Sequence, residues 1–115
     1  MEIVDRQEQV YADWDRKVRH RIRALITPEL VEEHARAPLG EHSDALARVL
    51  AYFRRQPLAG KHVIIAVERW RDYRIAELTG VRGLRPVLTD EEAFATEEAA
   101  MHAVFLRRVR DLEED

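Results

Sequence analysis

The sequence predicts a mainly α fold, at the margin of α+β, with three to four helices and a short strand or β-hairpin around residues 61–78. Apolar residues recur at helical spacing in several segments, and capping residues precede most of those segments. The apolar run at residues 62–68 is instead β-branched and too short for an ordinary helix. A length of 115 residues indicates a single domain, residues 1–115.

The clearest predicted helix lies near the end of the chain. Thr96 is placed to accept a backbone N–H as N-cap, and Glu97 and Glu98 bring negative charge to the positive end of the helix dipole. The apolar residues of this helix share one face, which needs a surface to pack on, in this chain or in a partner. They are Met101, Val104, Phe105, Val109 and Leu112.

Three further helices are predicted before the strand. The first runs from about residue 5 to residue 26, and its apolar side is formed by Tyr11, Trp14, Val18, Ile22, Leu25 and Ile26. Thr27 is the expected N-cap of a short second helix, which Pro38 and Gly40 end. Ser43 opens a third helix that stops before Pro57.

The β-branched run His62–Glu68 predicts a strand. Residues 71–78, with Tyr73 and Ile75 in alternation, are its expected hairpin partner, joined through Trp70. The stretch Ile-Ala-Glu-Leu within them also suits a helix, so both assignments stay open. Residues 79–86 are expected to form a loop, and the capping-box spacing of residues 89–92 predicts a short turn that carries Phe94.

Composition limits the classes of function. The net charge is −3 and the sequence pI is about 6.0, which argues against general polyanion binding. The absence of cysteine excludes disulfides, thiolate zinc sites and cysteine nucleophiles, and it fits a reducing compartment. Neither a signal-peptide pattern nor a bilayer-length apolar run is present, so we expect a cytoplasmic protein that does not enter a membrane.

No motif in the sequence predicts a catalytic residue or a metal ligand. The five histidines form no HExxH pair and no close cluster. Glu98 and His102 lie four apart on one helical face, which allows half of a metal site, but an exposed i,i+4 pair is the commoner outcome. Ser43, the one serine, has no nucleophile-elbow glycines around it and fits an N-cap.

The basic run between Arg16 and Arg23 offers an alternative class of function. On a helix these cations are able to track phosphates, as in a free-standing nucleic-acid-binding module. The acidic balance of the whole chain instead favours a solvated helix face, paired with Asp13 and Asp15 or with acids on a partner. Nucleic acid is therefore the secondary expectation.

Four segments, in order, resemble the small subunit of N,N-dimethylformamidase. They are Leu-Val-Glu-Glu-His-Ala-Arg-Ala-Pro at residues 30–38, Ala-Tyr-Phe-Arg-Arg-Gln-Pro at residues 51–57 followed by Gly60-Lys61, Glu-Arg-Trp-Arg-Asp-Tyr-Arg-Ile-Ala at residues 68–76, and the terminal helix at residues 96–109. The resemblance covers most of the chain from residue 30 onward, with weaker similarity around Trp14.

The resemblance implies a division of labour between two subunits. In that enzyme a large subunit holds a mononuclear iron through tyrosines and a glutamate, and hydrolyses dimethylformamide to formate and dimethylamine. The small subunit is helical, packs on the large one and supplies no iron ligand. The resemblance therefore implies a noncatalytic subunit with no cofactor of its own, in a hetero-oligomer with a large catalytic subunit that carries the iron.

Partner contact is the function expected of particular side chains. Trp, Tyr and Arg dominate interface hot spots, and Trp70, beside two arginines at a turn, follows no core pattern. The arginines of the run between Arg16 and Arg23 are able to form bidentate pairs with carboxylates of a large partner chain. The candidate interface residues are Trp14, Arg16, Trp70, Tyr73, His102, Arg107 and Arg108.

Overall fold

The computed structural model describes residues 6–57 and 60–114. In this part of the chain four helices accompany a three-stranded antiparallel sheet of order β1-β2-β3, which confirms the predicted fold class. The elements are α1 (Arg6–Leu25), α2 (Pro28–Arg36), α3 (Asp44–Arg54), β1 (His62–Glu68), β2 (Asp72–Glu77), β3 (Val87–Leu88) and α4 (Glu97–Glu113).

Side-chain hydroxyls start three of the helices. Thr27, Ser43 and Thr96 each accept the backbone N–H three residues onward, at 3.2, 3.2 and 3.1 Å. Each bond satisfies one of the N–H groups that a helix leaves without a partner in its first turn. All three N-caps predicted from the sequence are therefore confirmed.

The hairpin of β1 and β2 shows that residues 72–77 form a strand. Ile64 lies opposite Ile75, Ala66 lies opposite Tyr73, and the register shifts between Ala66 and Glu68. Tyr73 and Ile75 alternate with residues on the other face, and both are buried. The alternating pattern thus describes this segment better than its local helix propensity, because cross-strand pairing rewards the burial of every second residue.

The segment before α4 differs from the sequence prediction. Val87 and Leu88 pair with β2 as a third strand, where only loop was expected. The predicted capping box is not formed, because Thr89 donates its hydroxyl to the Ile75 carbonyl at 3.2 Å. The Glu92 N–H is accepted instead by an Asp90 carboxylate oxygen at 2.9 Å. Pairing with the sheet edge has thus replaced a helical start.

The main core lies where α1, α2, α3 and α4 meet. Leu46 is 0% exposed, and burial of a side chain of this size contributes about 1.5–3 kcal/mol. Helix α4 also packs on β1 and β2. The buried residues of the main core are Ile22, Leu30, Leu46, Val49, Tyr52, Phe53, Phe105, Val109 and Leu112.

Among the side chains of α1 that the structure describes, from residue 9 onward, those from Asp15 to the helix end are held against the body of the protein. Asp15 accepts the Tyr52 hydroxyl at 3.3 Å, and Arg23 donates to the Leu112 carbonyl at 2.8 Å. Residues 9–14 are all exposed. The radius of gyration is 16.2 Å, whereas about 13 Å is typical of a compact chain of this length. The first turns of α1 therefore project from the fold.

Candidate partner interface

The projecting part of α1 carries an apolar strip without a packing surface among the described residues. Val10, Tyr11 and Trp14 are exposed, Trp14 to 49%, although they continue the stripe that Val18 and Ile22 bury farther along the helix. The Tyr11 and Trp14 rings lie with their centroids 6.0 Å apart. The strip is thus an extension of the core stripe that the fold leaves facing outward.

The second exposed aromatic group stands at the tip of the β1–β2 hairpin. Trp70 is 74% exposed and has a φ of 74°, a left-handed backbone conformation that favours glycine or asparagine. The Arg69 guanidinium carbon lies 5.0 Å from the Trp70 ring centroid, within the range of a cation–π contact. A bulky side chain is therefore kept in an unfavourable backbone conformation at a position where nothing in the described chain buries it.

The buried side chain of Tyr73 holds the hairpin tip in place through a hydrogen bond to the Trp70 backbone. It is 5% exposed, and its hydroxyl accepts the Trp70 N–H at 3.0 Å. Its backbone N–H and carbonyl both bond to Phe94, at 2.9 Å each. The structure thus places Tyr73 in the core beneath Trp70, where it fixes the conformation of the turn.

His102 lies against His34, a residue the sequence analysis did not single out. Their Nδ1 atoms are 2.9 Å apart, so one ring donates and the other accepts. His34 is 3% exposed and stacks on Phe105 with ring centroids 4.1 Å apart. The i,i+4 pair expected between Glu98 and His102 is not formed, because His102 turns toward α2 instead of along its own helix.

Burial keeps this histidine pair uncharged. Burial, with smaller contributions from the nearby His102 and His42 rings, lowers the pKa of His34 from 6.5 to about 4. Burial also lowers the pKa of His102. At neutral pH both rings are therefore neutral, so one Nδ1 donates and the other accepts.

Arg107 and Arg108 are neighbours in α4 with different surroundings. Arg107 donates to Thr89 and forms an ion pair with Asp90 at 2.7 Å, so it ties the loop before α4 to the helix. Arg108 is half-buried and donates to the His62 carbonyl at 3.0 Å. Burial lowers the pKa of Arg108, and the nearby Arg54 adds to that effect.

The basic run of α1 borders a groove between α1 and α3. Arg16 is exposed and pairs with Asp13 on its own helix, as the solvated-face interpretation expects. Farther along α1, the groove combines apolar side chains with arginines. The groove is lined by Val18, Arg21, Ile22, Leu25, Arg48, Ala51, Arg54 and Arg55.

The candidate interface residues do not converge on one point. Trp70 stands at the hairpin tip and Trp14 on the projecting helix, both exposed, whereas His102, Arg107 and Arg108 are half-buried in α4. Within residues 6–57 and 60–114, no three His, Asp or Glu side chains are grouped so as to hold a metal ion. None of the described helices has the length and apolar character to cross a bilayer.

Sequence reasoning missed His34 and Arg54. His34 follows Leu30 at helical spacing, which places it on the buried side of α2, and this spacing was the available signal. For Arg54 there was none, since its proximity to Arg108 depends on how α3 and α4 pack.

Comparison with known proteins identifies the family. The family model described as N,N-dimethylformamidase alpha subunit matches residues 9–115. The N,N-dimethylformamidase alpha subunit of Paracoccus aminophilus is 48% identical over 113 residues, covering 94% of this chain and 79% of that protein. The protein of the same name from an Alcaligenes species is also 48% identical over 113 residues, covering 94% of this chain and 84% of its own length. With nearly its whole length matched, the chain belongs to the N,N-dimethylformamidase alpha subunit family.

Proposed function

We propose that this chain is a noncatalytic subunit of an iron-dependent, N,N-dimethylformamidase-like amidohydrolase. The complete enzyme would hydrolyse a small N-substituted amide to formate and an amine. The large partner subunit would carry the iron and the catalytic residues, and this chain would stabilise and assemble it. The family membership supports the proposal, as do two relatives whose names describe them as subunits of that enzyme.

The observation that carries the proposal is the conformation of Trp70. A non-glycine residue at positive φ costs of the order of 1–3 kcal/mol, and such strain clusters at functional positions. Glycine at this position would remove the cost of the positive φ. The Trp70 ring gains no stabilising burial within the described chain, because it is 74% exposed. Tryptophan is the residue most enriched in interface hot spots, so burial against a partner accounts for its presence.

The strip Val10, Tyr11 and Trp14 supplies a second contact of the same kind. Its side chains are aligned with the buried stripe of α1, so a partner that covers them extends the existing core without rearranging the helix. A partner that binds only the folded chain also stabilises it by mass action. Trp14 and Trp70 are therefore the contacts that we assign to the large subunit.

Trp70→Gly tests the assignment without disturbing the fold. Glycine accepts the positive φ, so the isolated variant should be at least as stable as the wild type in urea denaturation. Its affinity for the large subunit, measured after co-expression by competition with tagged wild type, should fall roughly tenfold or more, as for a hot-spot residue. Leu39→Ala is the control, since Leu39 is also exposed but lies in the α2–α3 connection.

Two results would contradict the proposal at different levels. Equal affinity of Trp70→Gly and wild type would remove Trp70 from the interface while leaving the assembly intact. A wild-type chain that hydrolyses dimethylformamide when purified alone, or that binds iron stoichiometrically, would refute the noncatalytic role.

A further inference from the structure

Arg108 borders a cavity between α3, α4 and the start of β1. The cavity has a volume of about 210 Å³, and its polar lining consists of His34, Arg54, His62 and Arg108. Lys61 lines a neighbouring cavity, and its ammonium group donates to the Arg54 carbonyl at 2.9 Å. We call the space between α3, α4 and the start of β1 the Arg54–Arg108 cavity.

The guanidinium of Arg108 is half-buried without a counter-ion in the described residues. The guanidinium donates a hydrogen bond to the neutral His62 carbonyl at 3.0 Å, and its carbon lies 6.0 Å from the Phe53 ring centroid. Asp111 lines a neighbouring cavity with Arg108, but its ion pair is with Arg110, at 3.7 Å. Buried charges in proteins are normally paired, so this half-buried cation is suited to receive an anion.

Arg54 also has no carboxylate within ion-pair distance in the residues that the structure describes. It lies close enough to Arg108 that its charge helps to lower the Arg108 pKa. Glu77 contacts the ring of His62, which is part of the cavity lining, at 3.3 Å. Two like charges are thus held near each other where a single anion between them would relieve both the repulsion and the loss of hydration.

We propose that the Arg54–Arg108 cavity is a carboxylate-binding site, in which the two guanidinium groups hold the oxygens of one carboxylate. A guanidinium presents paired N–H donors that match a carboxylate, and the volume exceeds the roughly 30 Å³ that one water occupies. The carboxylate comes from a small acid such as formate or from a side chain of the partner subunit. The second source rests on the proposed function, whereas the first does not.

The first experiment uses the isolated full chain and sodium formate. Formate replaces chloride at constant ionic strength while the Nε–Hε resonances of the arginines are followed by NMR. Saturable shifts of the Arg54 and Arg108 resonances are expected. In Arg108→Gln the affinity, followed through the Arg54 resonance, should be roughly tenfold weaker, as for loss of a charge-assisted hydrogen bond. Arg110→Gln, which removes an exposed cation of the same helix, should leave the shift unchanged. Arg54→Gln, at an exposed position, provides a second variant should Arg108→Gln unfold.

The second experiment measures assembly with the large subunit, with and without formate. Weaker assembly of Arg108→Gln together with competition by formate assigns the carboxylate to the partner. Formate binding with unchanged assembly assigns it to a small acid. The proposal is overturned if Arg108 shows no saturable response specific to formate and Arg108→Gln assembles like the wild type. A wild-type chain that binds formate but no large subunit would refute the proposed function and retain the site.

Discussion

Acidification should destabilise the fold through the pair formed by His34 and His102. The hydrogen bond between their Nδ1 atoms needs at least one unprotonated ring, and His34 is 3% exposed and stacked on Phe105. Protonation places a positive charge on a buried ring, close to the His102 and His42 rings. The unfolded chain has no such restriction, so it binds the proton more readily.

The size of the effect follows from the two pKa values of His34. The pKa of an unperturbed histidine, as in the unfolded chain, is 6.5, and the pKa of His34 in the folded chain is about 4. Since the folded pKa is the lower one, the stabilisation is complete above pH 6.5 and is lost as the pH falls from there toward about 4. At 1.36 kcal/mol per pKa unit the full loss is about 3 kcal/mol, of which about 2 kcal/mol is reached by about pH 5.

Urea denaturation followed by circular dichroism at several pH values between about 7.5 and 5 measures this loss. The comparison is with His34→Gln, which cannot be protonated and should lose the pH dependence that belongs to His34. His20→Gln is the matched control, because His20 is exposed on α1. Subtraction of the variant curve removes the contribution of carboxylates that titrate in the same range. If the wild type and His34→Gln lose stability in parallel, the reasoning about the buried pair is wrong.

Two further predictions concern packing and the loop before α4. Leu46 is 0% exposed, so Leu46→Ala should lower the free energy of unfolding, measured in urea, by about 2–5 kcal/mol. Leu106→Ala, at an exposed position of α4, should lower it far less. Equal losses in the two variants would contradict the assigned core. Arg107→Gln removes the ion pair with Asp90 and should release the loop from α4. Limited proteolysis within residues 79–95 should then be faster than in the control variant Arg110→Gln. Unchanged cleavage would show that the sheet alone holds the loop.

The beginnings of the helices were predictable because capping is local chemistry. A hydroxyl and the N–H three residues onward belong to the same short stretch, so Thr27, Ser43 and Thr96 carry the signal in full. The hairpin was also readable, through the alternation of Tyr73 and Ile75. A strand of two residues has no periodicity, so β3 was not detectable before its pairing with β2 was known.

The candidate site was predictable only in its exposed parts. Trp70 breaks the apolar pattern around it, and this exception indicated its exposure. The contact between His34 and His102 joins residues 68 positions apart, and the approach of Arg54 to Arg108 depends on the packing of two helices. Local periodicity holds no information on such distant pairs.

The exposed apolar residues of α1 affect how long an unassembled copy of the chain persists in a cell. Under the proposed assembly, a copy made in excess of its partner displays Val10, Tyr11 and Trp14 to the surrounding solution. Chaperones and quality-control proteases act on chains that keep apolar surface exposed. The cellular level of this subunit is then set by the supply of its partner, and unbalanced synthesis is corrected by degradation of the unassembled excess.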